Sequence, residues 1–420
     1  MQPTATRILD LKDDPVALEA LYRQDPGAFR DALSEAANAA PDATSLRVWR
    51  ARLDYKEPAD DTRSGKIWRA LGIGAAVGVL IRVPAIWLGE EWYYPRLGPS
   101  LVVLSVAAYF WFEHRERTRL IAGSALAAIA VIYTSLLPSP PGETGLVFSD
   151  SIVMALIHLP ILFWIFVGFV FTADAWRESA ARIRFVRYNG ELLILATLVG
   201  LGLFVFSALT VGLFQLVLDD IEELYFANIG LIGAAAVPVA ATYLYDVVFK
   251  RHTGIASVLA RVFAPLFLVM TSLYLIVAFG GGQSPFVDRD FLILFNGLLI
   301  VVLGMTVFSI AERGHDARVG WFDYVNAALL VVTLIIDLIA LSAILFRLTS
   351  YGLTPNRVIV LGANLVIMAH LAWIGRAYLG FVMTKQGAEA IPRAVARYLP
   401  VYGAWAALVV FAMPLVFGFA

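Results

Sequence analysis

Two ionisable residues stand where charge is most expensive. Arg82 lies inside an apolar run at 67–89, and Asp337 lies inside another at 323–346. A charged side chain at bilayer depth costs about 2.5–3.5 kcal/mol on insertion scales, so each needs a partner or a purpose. Arg82 continues a stripe of Gly74 and Gly78 at four-residue spacing, a pattern that lets helices approach closely and turns Arg82 toward a neighbour. Asp337 shares a helical stripe with Thr333 and Asn326. The two are expected to meet, either as a structural staple or as a substrate or ion site. His158 and Asn364 are the residues expected to extend that polar cluster, although a lone intramembrane histidine is more often hydrogen-bonded and structural. Asp246, one turn from Lys250, falls near an interface where a carboxylate is cheap, and Arg261 and Arg376 lie close enough to an interface to snorkel. Pro84, Pro160, Pro238, Pro265 and Pro414 interrupt five apolar runs. Transporters use such breaks to build binding sites, but proline is also common in membrane helices generally.

Other chemistry has no carrier in the chain. There is no HExxH, no Gly-x-Ser-x-Gly and no set of carboxylates at metal-ligand spacing, so neither a metal nor a cofactor is expected. Cysteine is absent, which excludes disulfides, thiolate metal sites and palmitoylation. A net charge of −1 without a basic patch argues against nucleic acid.

The elements that must hold these residues are membrane helices. Hydrophobic residues make up 60% of the chain and charged residues 15%, with a mean hydropathy of +0.76, against about 45–50% and 25% in soluble domains. Apolar runs occupy 67–89, 98–112, 119–137, 151–173, 191–218, 227–249, 256–279, 291–310, 323–346, 357–381 and 397–418. A spanning helix needs about 20 such residues. The runs are continuous, without period-two alternation, so the fold class is an all-α polytopic membrane protein of about eleven helices. The second run is the shortest.

Lysine and arginine orient it. Beyond residue 69, and leaving out Arg82, sixteen basic residues lie in or beside the linkers after the even-numbered runs, including Arg117, Arg182, Lys250, Arg318 and Arg393. Four, Arg96, Arg289, Arg347 and Arg357, lie on the other side. That bias puts the N-terminus in the cytoplasm and the C-terminus outside. The outer linkers also hold acidic residues such as Glu90, Glu91, Asp219 and Asp220, either a mouth that attracts cations or simply residues that are cheap there. Arginine outnumbers lysine 27 to 5 and alanine is abundant, the composition of a GC-rich bacterial genome, and no cleavable signal peptide opens the chain. The expected location is a bacterial inner membrane.

Residues 1–66 hold 22 of the 65 charged residues and form a soluble cytoplasmic tail, with 67–420 as the transmembrane domain. Three short helices are legible in the tail. Asp14-Pro15 and Asp25-Pro26 each set an N-cap before a proline, and Pro41-Asp42 introduces a third helix with Leu46, Trp49 and Leu53 on one face. The tail is either a cap over the cytoplasmic loops or a docking module for a protein partner. Residues 56–65 read as a linker.

Between the ninth and tenth runs the chain reads Tyr351-Gly352-Leu353-Thr354-Pro355-Asn356-Arg357. Gly352 permits a positive-φ turn, Thr354 caps the next helix, Pro355 takes its first position, and Arg357 is expected to point toward the outer headgroups. The segment resembles a bacterial multi-pass membrane family of unknown function in which a Tyr-Gly-Leu-Thr-x-x-Arg loop recurs near the C-terminal end. The resemblance covers about residues 323–380, and it implies an inner-membrane location with no established activity.

Three functions are open. Transport or export of a small molecule or ion accounts for the helix number, the prolines and the buried charges with least addition. A scaffold or sensor would signal through the tail. An envelope enzyme acting on a lipid-linked substrate would use Tyr351, Asn356 and Arg357, the arginine binding phosphate.

Overall fold

The computed structural model describes residues 3–54, 61–113, 118–138, 148–215, 220–251, 254–280, 289–311 and 319–419. Arg115, Arg117, Asp219, Arg313, Arg318 and residues 56–60 of the expected linker lie outside the described residues. Among those described, every regular element is helical. The chain divides into two compact units, Met1–Ser64 and Gly65–Ala420.

The first unit holds four helices: α1 (Ala5–Asp10), α2 (Pro15–Gln24), α3 (Pro26–Ala39) and α4 (Thr44–Asp54). The two Asp-Pro starts work as their sequence implies. Asp14 accepts from the amides of Val16 and Ala17, and Asp25 from that of Ala28. Helix α1 is the addition to the three expected, and at six residues it is too short to show a period. Its Ile8 joins Leu18, Phe29, Leu33, Leu46 and Trp49 in a core of the unit's own. Arg52 lies over the Trp49 ring and bonds Glu19, whose carboxyl is held below its usual range by hydrogen bonds from Arg23 and then Arg52.

The second unit carries a helix on each of the eleven apolar runs: α5 (Asp61–Leu88, from Gly65 onward in this unit), α6 (Glu90–Trp111), α7 (Thr118–Ser135), α8 (Asp150–Thr172), α9 (Ser179–Phe214), α10 (Ile221–Val248), α11 (Ile255–Gly280), α12 (Arg289–Ala311), α13 (Trp321–Tyr351), α14 (Pro355–Thr384) and α15 (Ala390–Phe411). Helix α5 starts inside the expected linker. Among the described residues, eight of these, all but α6, α7 and α12, contain a stretch long and apolar enough to cross a membrane. The chain is a multi-pass helical membrane protein.

Two of the unit's apolar cores set much of the packing. Val106, Tyr109 and Phe110 of α6 meet Val167 of α8, Tyr188 of α9 and Tyr245 of α10 in one. Leu299 of α12, Leu330 of α13, Leu371 and Tyr378 of α14 and Val395 of α15 form the other. The glycine stripe of α5 does what its spacing implies. A Cβ on Gly74 would sit 3.4 Å from Ala236, and one on Gly78 would overlap Ile232, both on α10. The same antiparallel register brings Arg82 to Asn228.

Closer still is Gly362 of α14, where a Cβ would overlap the Trp405 indole of α15. The ring is rigid, so Gly362→Ala is expected to lower stability by about 1–3 kcal/mol through overpacking. Thermal unfolding in detergent checks this, and recovery in Gly362→Ala/Trp405→Leu locates the clash. An unchanged midpoint in the single variant would refute the tight contact.

Arginines close the helix ends. The last carbonyls of a helix lack intrahelical partners, and in a membrane water does not supply them. Arg96, 1% exposed, donates to Leu137 O just past α7. Arg187 donates to Ala311 O, the last residue of α12, and Arg182 to Trp176 O beyond α8. Each also sets a positive charge at the negative end of a helix dipole.

Candidate functional site

Arg82 and Asp337 do not pair. Arg82 Nε donates to Asn228 Oδ1 at 2.8 Å, and its Nη1 meets Glu90 Oε1 at 2.7 Å. The stripe does turn Arg82 toward a neighbouring helix, but that helix is α10, whereas Asp337 packs among α11, α12 and α14. His158 joins neither, since its Nδ1 contacts Met154 O of its own helix at 2.8 Å.

Asp337 is 0% exposed, and neither carboxylate oxygen has a hydrogen-bond partner among the described residues. The helices around it carry polar groups at several levels. Asn326 of α13 donates to Ser309 of α12 at 2.9 Å and to Tyr378 of α14 at 3.3 Å, so one polar layer spans three helices. Asn364 of α14 donates to Asn296 of α12 at 2.8 Å in a second layer. Helix α13 runs antiparallel to both neighbours. At 1.5 Å per residue, Asp337 stands about 16 Å from the first layer and the Asn296–Asn364 pair about 20 Å from it. Asp337 is therefore about one turn from the second layer. Between the layers, Thr306 of α12 and Thr333 of α13 are buried, as is Thr271 of α11, which packs beside them. Thr306 Oγ1 has no partner among the described residues. Polar side chains thus recur along most of the length of an otherwise apolar helix interface, with an unpaired carboxylate near one end.

That arrangement can hold and relay a cation or a proton. An isolated carboxylate in an apolar surround needs a counter-charge or a proton, and hydroxyl and amide groups spaced at each turn or two can carry either. Among the described residues no three His, Asp or Glu side chains form a metal-binding group.

A second polar cluster joins α5, α6 and α10. Asp246, with its side chain 1% exposed, takes Lys66 Nζ at 2.7 Å, Arg251 Nε at 2.6 Å and the Tyr109 hydroxyl at 3.1 Å. Glu113 takes Lys66 at 2.9 Å and Arg251 at 3.1 Å. The contacts of Asn228 and Asp246 fall in π-helical segments of α10, Tyr225–Gly230 and Leu244–Val248. Such widened turns re-aim side chains and recur at functional positions. Lys250 and Arg251 then adopt φ of 48° and 62°, a conformation that costs a non-glycine residue roughly 1–2 kcal/mol and here returns Arg251 to Asp246. The balanced charges and mutual satisfaction make this cluster a clamp.

The loop motif bonds mostly within itself. Gly352 has φ 82°, and Thr354 Oγ1 accepts from the Arg357 amide at 3.4 Å. The Arg357 side chain reaches back to the end of α13. Its Nη1 donates to Tyr351 O at 2.9 Å and Gly352 O at 2.8 Å, closing the end of α13, while Asn356 keeps a buried, unpartnered Oδ1.

Three buried groups escaped the sequence reading. Glu191 of α9 accepts from the Ala256 amide at 3.3 Å, serving the N-terminus of α11 from another helix. His370 contacts the Tyr402 hydroxyl at 2.8 Å and stacks on Tyr398 at 4.4 Å. Arg96 sits between Trp92 and Phe148. His370 stands inside the run 357–381 with Asn364 and Arg376, whereas Glu191 and Arg96 stand at run edges and look interfacial.

No family profile, curated protein or solved structure matches this chain. Fold and site together define a class: a multi-pass all-α membrane protein with a buried, unpaired carboxylate on a helix interface lined by hydroxyl and amide side chains.

Proposed function

We propose that this protein moves a small molecule or ion across a bacterial inner membrane, coupled to a proton or cation that binds at Asp337. The observation that carries the reading is the unpaired, fully buried carboxylate of Asp337 beside the Asn296–Asn364 pair. A structural role would call for a partner, and a retained unpaired carboxylate calls for a mobile one. In this reading α5–α15 all span, with the N-terminus inside and the C-terminus outside, and the Tyr351–Arg357 connection marks kinship with the uncharacterised bacterial family it resembles. The enzyme alternative is weakened because Arg357 is engaged with backbone carbonyls.

Two experiments test it. Proteoliposomes holding the purified chain are expected to collapse an imposed pH or sodium gradient faster than empty vesicles, and the Asp337 variants taken up in the Discussion decide whether this site is responsible. Reporter fusions after residues 183 and 388 are expected to read cytoplasmic, and those after 221 and 352 external, from the arginine bias. One reversed site would remove a span from the count.

A further inference from the structure

A groove of about 850 Å³ runs between α7, α8 and α15, apart from the Asp337 interface. It exists because α7 presents small residues to α8. A Cβ on Gly123 would fall 2.8 Å from the Phe166 ring, so only glycine lets the α7 backbone sit against the aromatic face of Phe163, Phe166 and Phe169. Leu126 and Ile129 at its rim are exposed on a surface that the bilayer covers. One end is different in kind. Ala173, at φ 44°, stops α8 and turns the chain, and Trp176 and Arg177 line the groove there. The Arg177 guanidinium lies 5.0 Å from the Trp176 ring centroid, and it makes no hydrogen bond or ion pair among the described residues.

Length and charge together name an occupant. From Leu162 to the end of α8 at Thr172 the groove follows about 15 Å of helix, the depth of one leaflet's acyl chains, half of a hydrocarbon core about 30 Å thick. Its walls along α7, α8 and α15 are apolar, and its end carries Asp174, Trp176 and Arg177, of which the arginine is the residue suited to phosphate. We infer that this groove is a specific site for one phospholipid, its acyl chain lying along Phe163, Phe166 and Phe169 and its phosphate on Arg177. The site stands independently of the transport reading.

The test uses the full chain purified in detergent micelles and titrated with phosphatidylglycerol carrying brominated acyl chains, which quench nearby tryptophan. The protein has 10 tryptophans, so the Trp176 signal is taken as the difference between wild type and Trp176→Phe. Saturable quenching of that component is expected. Arg177→Gln, at an exposed position, should weaken it about tenfold, the loss of one charge-assisted contact. Ala122→Phe, at the exposed rim, should abolish it by filling the groove. Brominated diacylglycerol, with the same chains and no phosphate, should bind about tenfold more weakly and be indifferent to Arg177→Gln. Non-saturable quenching that is equal in all variants would mean only annular lipid and would overturn the site. Equal binding of diacylglycerol would remove the phosphate contact and with it the proposal. A dimer of the chain that Ala122→Phe dissolves, with quenching unchanged, would assign the groove to a second copy instead.

Discussion

Asp337→Asn and Asp337→Leu proteins, reconstituted in vesicles, are expected to lose gradient-driven flux to the background of empty vesicles, while the leucine variant unfolds at a higher temperature than wild type. The two results have one cause. Asp337 is fully buried and both oxygens lack partners among the described residues, so the folded protein bears the desolvation of that group without compensation. Leaving a buried polar group unsatisfied costs about 1–3 kcal/mol, and an apolar side chain of similar size should return that amount. Asparagine keeps the size and removes the ionisable group, which separates chemistry from packing. The outcome distinguishes this account from a charge pair with Arg82. A pair would make every Asp337 variant less stable and let Arg82 variants compensate, and Arg82 is already engaged by Asn228 and Glu90. A destabilised Asp337→Leu protein would mean that the carboxylate is a structural element, and the transport site would then be lost with it. Normal flux in Asp337→Asn would be equally fatal.

The clamp at Asp246 behaves in the opposite way. Asp246→Ala is expected to destabilise the membrane unit by about 3–5 kcal/mol, the range seen when one partner of a buried pair is removed. Lys66 and Arg251 would then converge on Glu113 alone, and Tyr109 would lose its acceptor. Most of the effect belongs to the buried carboxylate, because Arg251 and Glu113 reach solvent at the rim, where an ion pair contributes little. Lys66→Met combined with Asp246→Leu should recover part of the loss, since a buried ion pair can be replaced by packed apolar side chains at small net change. Unfolding monitored by temperature in detergent, for both singles and the double, checks the coupling. Additive losses would show that the two residues do not act together.

The contrast between these carboxylates bears on the choice of function. Asp246 has four polar contacts from Lys66, Arg251 and Tyr109, which is how a structural charge is held in an apolar setting. Asp337 has none among the described residues. The same comparison applies to the arginines. Arg96, Arg182, Arg187 and Arg357 all donate to backbone carbonyls at or just beyond helix ends, so their placement serves the helices as well as any charge asymmetry between the two faces. For Arg357 these bonds engage Nη1 with the end of α13.

Helix identity was legible in the sequence because it depends on local facts. Continuous apolar runs mark helices whose backbone groups must bond internally, and Asp14, Asp25, Gly352 and Thr354 set their boundaries through bonds spanning a few residues. The four-residue spacing of Gly74, Gly78 and Arg82 likewise fixed that one face of α5 meets another helix. Which helix it meets is a different kind of question. Any apolar face satisfies any other about equally well, so the partner is decided by shape: the fit of Gly78 to Ile232, and of Gly362 to Trp405. Only that assembly separates Arg82 from Asp337, carries Lys66 to Asp246 across 180 residues of sequence, and brings Asn296 and Asn364 together beside the carboxylate. Sequence alone determined that this protein is a helical membrane bundle with charges buried in it. Tertiary packing decided which of those charges are neutralised and left Asp337 without a partner among the described residues, because that depends on distances between side chains that no local period encodes.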